Sequence, residues 1–507
     1  MSRCSPQRSR RQFRVSSSLL VTALLIGSLG STTTGAANLE LPGQIPKAPD
    51  LVEGYPIPFA QTSQFRSEQG GLLATDLDGD GKRELVLSIA TGLVAVLNLD
   101  GSFRPGWPRT FEELPQPAYP FGPPAVGDLD GDGYAEIVTC VVAGVTPRRS
   151  YLYALRMDGE LQPGWPIEIQ LTGPHVQTCS GAGVLTADLD GDHMMEVAVA
   201  VNLGRVAAFD GDGQPLPGWP VMPGPDPFGN FRGINAALSA SDLDADGAAE
   251  MIFIESGFEP RLIVVSGDGR IRDGFPVLFG EIVDRQAPAV ADLDGDGAPE
   301  LIQATLPVTG DLLGFTSATR EPVGDEPLVP PALHVLRADG TNAPGWPRLL
   351  SHGGSWGPLV VDLTGDGHPE ILQQDGELLY AFDAEGSVLP GFPYALHRDF
   401  RRSQSIASTP WLAADLDHDG NKDLMIVRSN IYLGKAYMRV FGLSRTGQSL
   451  KGFPFEVENH RAASRPVVLD VSGDGIADLV MLTIEGLNGR RKLMAWNLGS
   501  LLPPSRR

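Results

Sequence analysis

Apolar residues in this chain fall in short runs broken by Gly, Pro and Asp clusters, and nothing between the runs carries the 3.6-residue period of a helix. Four runs recur in a fixed order. One precedes an Asp-rich loop, as in Pro124-Ala-Val-Gly127, and one follows it, as in Glu136-Ile-Val-Thr-Cys140-Val-Val142. A third, Tyr151-Leu-Tyr-Ala-Leu155, ends in the turn Asp158-Gly159, and a fourth, Ile167-Glu-Ile-Gln-Leu171, follows Gly164-Trp165-Pro166. Four short strands per unit predict a propeller blade, and a lone blade cannot bury both its faces, so the units must stack around an axis.

The unit occurs eight times. Its acidic loop, Asp76-Leu-Asp78-Gly-Asp80-Gly81-Lys-Arg-Glu84, starts again at Asp128, Asp188, Asp242, Asp292, Asp362, Asp415 and Asp470. One step is long because it contains Thr305 to Pro331, read as a surface insertion. The Gly-aromatic-Pro phrase keeps phase with the loop, with Trp107, Trp165, Trp219 and Trp346, and with Phe275, Phe392 and Phe453. Each ring is expected to plug the core between neighbouring units. The expected fold is all-β, a single eight-bladed β-propeller of four-stranded antiparallel blades over residues 51–498.

How the ring closes follows from counting. The eighth unit ends after its third strand, expected over Lys492 to Leu498, before reaching a Gly-aromatic-Pro phrase. The missing phrase stands at the other end of the chain, Gly54-Tyr55-Pro56 followed by Ile57-Pro58-Phe59-Ala60. An open ring would leave an unpaired strand edge, so this N-terminal segment should supply the outer strand of the last blade.

Position by position, the loop looks like a cage of oxygens. Position one is Asp in every copy. Position three is Asp78, Asp130, Asp190, Asp244, Asp294 and Asp417, but Thr364 and Ser472 in copies six and eight. Position five is Asp80, Asp132, Asp192, Asp246, Asp296, Asp366, Asp419 and Asp474. Position nine is Glu84, Glu136, Glu196, Glu250, Glu300, Glu370, Asp423 and Asp478. Position seven varies freely, as suits a residue lending only its carbonyl. Position six is Gly except for His193, at a turn that needs positive φ. Two carboxylates about 4 Å apart repel by roughly 1 kcal/mol in water and about 4 kcal/mol at an effective dielectric of 20. Hard oxygen donors in such a cluster suit Ca²⁺, up to eight ions, with copies six and eight the weakest. An EF-hand would need a carboxylate at position twelve, where this chain has Leu87, Thr139, Val199, Phe253, Gln303, Gln373, Ile426 and Met481.

This loop between two strands, repeated at blade spacing, resembles the FG-GAP (VCBS-type) repeat, which builds the N-terminal propeller head of integrin α-subunits and many bacterial exported proteins. The resemblance spans roughly residues 51–498, and it implies that the carboxylates just named are calcium ligands. It departs from integrin heads, which have seven blades and continue into leg domains and a membrane span. Ligand binding on the integrin pattern is therefore analogy.

Five arginines in the first 14 residues (Arg3, Arg8, Arg10, Arg11, Arg14), an apolar run from Leu19 to Leu29 and the exit Gly35-Ala36-Ala37 predict a signal peptide over 1–37. Ser9-Arg10-Arg11-Gln12-Phe13 resembles a twin-arginine export signal; an ordinary secretory signal holding an Arg pair is the alternative. A short linker over 38–50 and a tail over 499–507 complete the expected layout. Removing the leader takes the formal charge from −23 to −28, which argues against a nucleic-acid partner. No later segment reads as a membrane span. Cys140 and Cys179 either pair in an oxidising compartment or sit as small apolar residues.

The expected role is a monomeric, exported interaction module of a bacterial periplasm, cell surface or exterior, holding protein or carbohydrate on one propeller face. The alternative is a calcium-dependent polysaccharide-active enzyme, since some rhamnogalacturonan lyases are similar eight-bladed propellers. That reading would need a non-repeated charged cluster such as Arg148, Arg149, Arg232, Arg401 and Arg402. Gly353-Gly-Ser355-Trp-Gly357 matches the nucleophile-elbow pattern, but Pro358 and a strand follow where a helix is required. His193, His368 and His418 lie inside loops, and His175, His352, His397 and His460 in segments leading toward them.

Overall fold

In most units the second and third strands are largely apolar because both of their faces are covered. In the computed structural model, Glu84–Ile89 and Leu93–Leu97 are buried throughout. Successive side chains point to opposite faces, so Leu85, Leu87 and Ile89 join one apolar layer while Val86 joins the next. The structure describes residues 46–502, apart from 60–70, 90–91, 146, 170–178, 202–203, 223, 225–232, 235–236, 257–259, 282, 284–286, 308–328, 354–356, 397–404, 433 and 487–488. The expected signal peptide, most of the linker, most of the insertion after Thr305 and the centre of the Gly-x-Ser-x-Gly match lie outside the described residues.

Eight antiparallel sheets follow one another along the chain. The first is Gly71–Thr75, Glu84–Ile89, Leu93–Leu97 and Arg109–Thr110, and blades four, five and six repeat that order. Blade three pairs Cys179–Ala187, Glu196–Val201 and Arg205–Phe209, with a bridge from Val206 to Val221 where the outer strand stands elsewhere. Blades two, seven and eight add an extra segment (Ala118–Pro120, Ser405–Ser408 and His460–Ala462) beside the second strand. The expected fourth strand at 167–171 is Ile167–Glu168 among the described residues. No described helix is long and apolar enough to cross a membrane.

The core is divided into eight layers, each lying between two blades. Val86 and Val96 of blade one meet Ile137 and Tyr153 of blade two, and the pattern advances blade by blade. Val480, Leu482, Leu493 and Ala495 of blade eight then meet Leu85, Leu87 and Leu97 of blade one, with Val52, Tyr55 and Phe59 in the same layer. That layer closes the ring.

The N-terminal segment does supply the last outer strand. Ile57–Phe59 pairs antiparallel with Arg491–Asn497, setting Ile57 opposite Leu493 and Phe59 opposite Arg491. Residues ahead of it are tied in as well: Asn497 N donates to Asp50 O and Val52 N to Ala495 O, both at 2.9 Å. The third strand of blade eight stops at Asn497, one residue earlier than expected. Leu498 begins a 3-10 turn, whose Asn497 cap accepts from Ser500 N.

The aromatic plugs pack as expected and also reach forward. Nε1 of Trp107, Trp165, Trp219 and Trp346 donates to Met157 O, Gly211 O, Gly267 O and Ala384 O, each in the turn after the third strand of the following blade. At the seam Tyr55 takes this part, donating its hydroxyl to Leu99 O of blade one at 3.1 Å. The glycine before each aromatic is held close to that same turn; a Cβ on Gly106 would collide with Asp158 O. Cys140 and Cys179 form a disulfide joining blades two and three, which resolves the choice the sequence left open.

Candidate metal centres

Each acidic loop follows the inner strand and is folded by its own carboxylates. In the first copy Asp76 accepts from Gly79 N and Gly81 N at 2.8 Å, Asp80 from Lys82 N at 2.7 Å, and buried Glu84 from Leu77 N at 3.0 Å. The pattern recurs in the second copy, where Asp128 accepts from Gly131 N and Gly133 N, Asp132 from Tyr134 N, and Glu136 from Leu129 N. His193 holds the left-handed turn at position six with φ 73°. Position four is a second left-handed turn that the sequence reading passed over; Ala245 (φ 60°) and His418 (φ 57°) occupy it without glycine's freedom.

Successive loops touch. Ala135 N donates to Leu77 O, Met195 N to Asp128 O, and Ala249 N to Asp188 O, so the first four loops are stitched side by side. Position two plugs each loop into the core, with Leu77, Leu129, Leu189, Leu243, Leu293, Leu363 and Leu416 all buried.

The geometry brings the carboxylates of one loop within reach of a single ion. Asp76, Asp78 and Glu84; Asp128, Asp130 and Glu136; Asp188, Asp190 and Glu196; and Asp292, Asp294 and Glu300 each place ligand oxygens within 4.8 Å of one another. In the fourth loop the converging set is Asp242, Asp244 and Asp246, without Glu250. Every position-nine carboxylate, from Glu84 to Asp478, is buried. In the eighth loop Asp478 Oδ2 accepts from Val471 N and Ser472 N, while its Oδ1 is buried with no hydrogen-bond partner. A buried carboxylate oxygen left unpaired beside Asp470 and Asp474 is what a hard cation would satisfy, so the donor set fits Ca²⁺.

Without a cation the loops are electrostatically loaded. Burial, and then the charges of Asp130, Asp132 and Asp128, push Glu136 up to about 7. Glu196 and Asp423 rise to about 7 for the same reasons, and Glu250, Glu300 and Asp478 also rise. Asp78 goes the other way, because the Arg104 guanidinium donates to it. The sequence reading missed Arg104 and its counterpart Arg272. It also missed Gln162, whose Nε2 donates to Asp130 at 2.7 Å, and Asn497, whose Nδ2 donates to Asp474 at 3.1 Å.

Arg149 pairs with Glu168, while Arg232, Arg401 and Arg402 lie outside the described residues, as do His175 and His397. His193 is exposed beside Asp188, His352 lies 3.9 Å from Asp375, and His460 contacts Glu458 O. His334, which the sequence reading did not single out, is enclosed by Glu281 and the Phe279 ring.

The family model for the FG-GAP-like repeat matches residues 76–139 and 242–302. No curated protein matches the chain significantly. Among solved structures, the V. cholerae biofilm matrix protein Bap1 is 15% identical with a TM-score of 0.37, over 91% of this chain and 92% of that one. BBS1N in complex with ARL6DN is 11% identical at 0.44 (88% and 97% covered), and the Dos1 propeller 10% identical at 0.40 (85% and 90% covered). Likeness at these levels extends to neither ligand nor activity.

Proposed function

We propose that this eight-bladed ring of FG-GAP-like repeats is an exported, calcium-stabilised interaction scaffold of the bacterial envelope or exterior. One propeller face would hold a protein or carbohydrate ligand. The observation that carries the reading is the convergence, in blades one, two, three and five, of a buried position-nine carboxylate with the Asp residues at positions one and three. Bound calcium would neutralise that charge. The chain's own residues do the rest: backbone N–H groups orient the carboxylates, the position-two Leu anchors the loop, and loop-to-loop hydrogen bonds pass its rigidity to the next blade.

The test uses the mature chain stripped with EDTA and then melted with Ca²⁺, with Mg²⁺ or with neither, alongside a glycan array and a polysaccharide-cleavage assay. The scaffold reading expects calcium to raise the melting temperature more than magnesium, whose tighter octahedral shell suits this loop less. It also expects binding without cleavage. A melting curve indifferent to EDTA would remove the metal half, and product release from a polysaccharide would move the protein to the enzymes. Export is tested by N-terminal sequencing, expected to begin near Asn38; material still starting at Met1 would refute it.

A further inference from the structure

Eight positions are equivalent by hydrogen bonding, yet two of them carry a charge. Three residues before each aromatic plug, one backbone N–H donates to a carbonyl of the third strand: Arg104 to Val96, Gln162 to Ala154, Leu216 to Ala208, Arg272 to Val264, Ala343 to Val335, Leu389 to Ala381, Leu450 to Gly442 and Val52 to Ala495. The carbonyl of the same residue accepts from the aromatic's own N–H in every case. Five of the eight are apolar. In blades one and four the side chain is arginine, and both arginines turn into the acidic loop of their own blade.

The two contacts have the same design. Arg104 sets Nη2 2.8 Å from Asp78 Oδ2 at position three and Nη1 2.5 Å from Glu84 Oε1 at position nine. Arg272 sets Nη2 3.1 Å from Asp244 Oδ2 and Nη1 2.9 Å from Glu250 Oε2, again positions three and nine. The second is a charge contact without the alignment of a hydrogen bond. Both side chains are largely buried, at 18% and 19% exposure. A forked guanidinium bridging two carboxylates gives them the counter-charge and donors that a metal ion would otherwise supply.

We infer that Arg104 and Arg272 are built-in counter-ions, so that the acidic loops of blades one and four hold their shape without metal while the loops of blades three, five and seven depend on it. This rests on the calcium reading above and divides it. A divalent ion in either arginine-filled loop would have to share its carboxylates with a fixed positive charge, and like charges repel. Loops three, five and seven have Leu216, Ala343 and Leu450 at the same position and four carboxylates each. The two arginine-filled loops differ in detail: the set around Asp242 omits Glu250, whereas Glu84 still converges with Asp76 and Asp78.

Amide hydrogen exchange of the full mature chain, with Ca²⁺ and after EDTA, reads each loop separately. On chelation, exchange in 188–196, 292–300 and 415–423 should speed up by roughly tenfold or more, while 76–84 and 242–250 stay unchanged. If the arginine-filled loops lose protection together with the others, calcium binding stands and the counter-ion inference is wrong. If no loop responds, the calcium reading fails and takes this one with it. Native mass spectrometry gives a second measurement. The unaltered chain should take up no more than six ions, eight loops less two, and the double variant Arg104→Leu, Arg272→Leu should take up two more. An unchanged count in a folded double variant would overturn the inference.

Discussion

A chain that begins at residue 60 loses the strand that closes the ring, although it keeps every acidic loop. The deletion strips blade eight of the pairing between Ile57–Phe59 and Arg491–Leu493, and of the Asp50 and Val52 backbone hydrogen bonds. It also removes Val52, Tyr55 and Phe59, each at most 8% exposed, from the layer between blades eight and one. Burying one such side chain contributes about 1.5–3 kcal/mol, so the three together contribute roughly 5–9 kcal/mol. Net stabilities of folded domains run at about 5–15 kcal/mol, so the loss is comparable with the whole. At about 2 °C per kcal/mol for a large domain, the melting temperature should fall by at least about 10 °C. Calorimetry on chains starting at residues 38 and 60 makes the comparison, and Phe59→Ala gives a smaller version at about 3–5 kcal/mol. Pro58→Ala, exposed on the same strand, should be near neutral. Melting of the shortened chain within about 2 °C of the longer one would refute ring closure by this strand.

Calcium at a hundred times its dissociation constant should add about 2.7 kcal/mol per occupied site; Asp296→Ala should remove one site's share of the Ca²⁺-induced rise in melting temperature, while Ala298→Ser should not. In EDTA the melting temperature should fall as pH rises from 5.5 to 8. Glu136, Glu196 and Asp423 have folded-state values raised to about 7, so the stability they contribute is complete below their unfolded values near 4 and is lost as pH passes through about 7. Saturating calcium should reverse that slope, and a metal-free slope that rises with pH would contradict the buried-carboxylate picture. Trp219→Phe should cost about 1 kcal/mol in chemical denaturation by orphaning Gly267 O, and no measurable cost would make that inter-blade bond incidental.

Blade count, loop composition and the closing strand were legible because each repeats, and a repeat exposes the copy that is missing. Gly54-Tyr55-Pro56 could be matched to seven sister phrases, and Tyr55 proved to reach Leu99 as the tryptophans reach their own turns. The buried fourth position after seven of the aromatics was there to be read too, as Phe59, Phe111, Ile169, Phe279, Leu350, Leu396 and Val457, but the residues after the proline were taken as strand without being compared from copy to copy. Arg104 and Arg272 escaped for the opposite reason. They depart from a repeat rather than conform to it, and an arginine outside the loop shows no link to Asp78 or Asp244 until strand register places it there. The disulfide was undecidable from spacing, because Cys140 and Cys179 occupy strands of different blades that only stacking brings together.

The clasp between first and last strands makes completion of the ring wait until the eighth blade has been made. Phe59 leaves the ribosome about 430 residues before its partner Arg491. At about 5–20 residues per second the segment waits roughly 20–90 s for a place to lie. Until then the growing arc has an unpaired sheet edge at its advancing end, and the apolar face of blade one is uncovered. A chain broken off anywhere before its final blade therefore stays an open arc with sticky ends, recognisable to any chaperone or protease that samples exposed edges. In this architecture the oldest strand certifies that the youngest has been made.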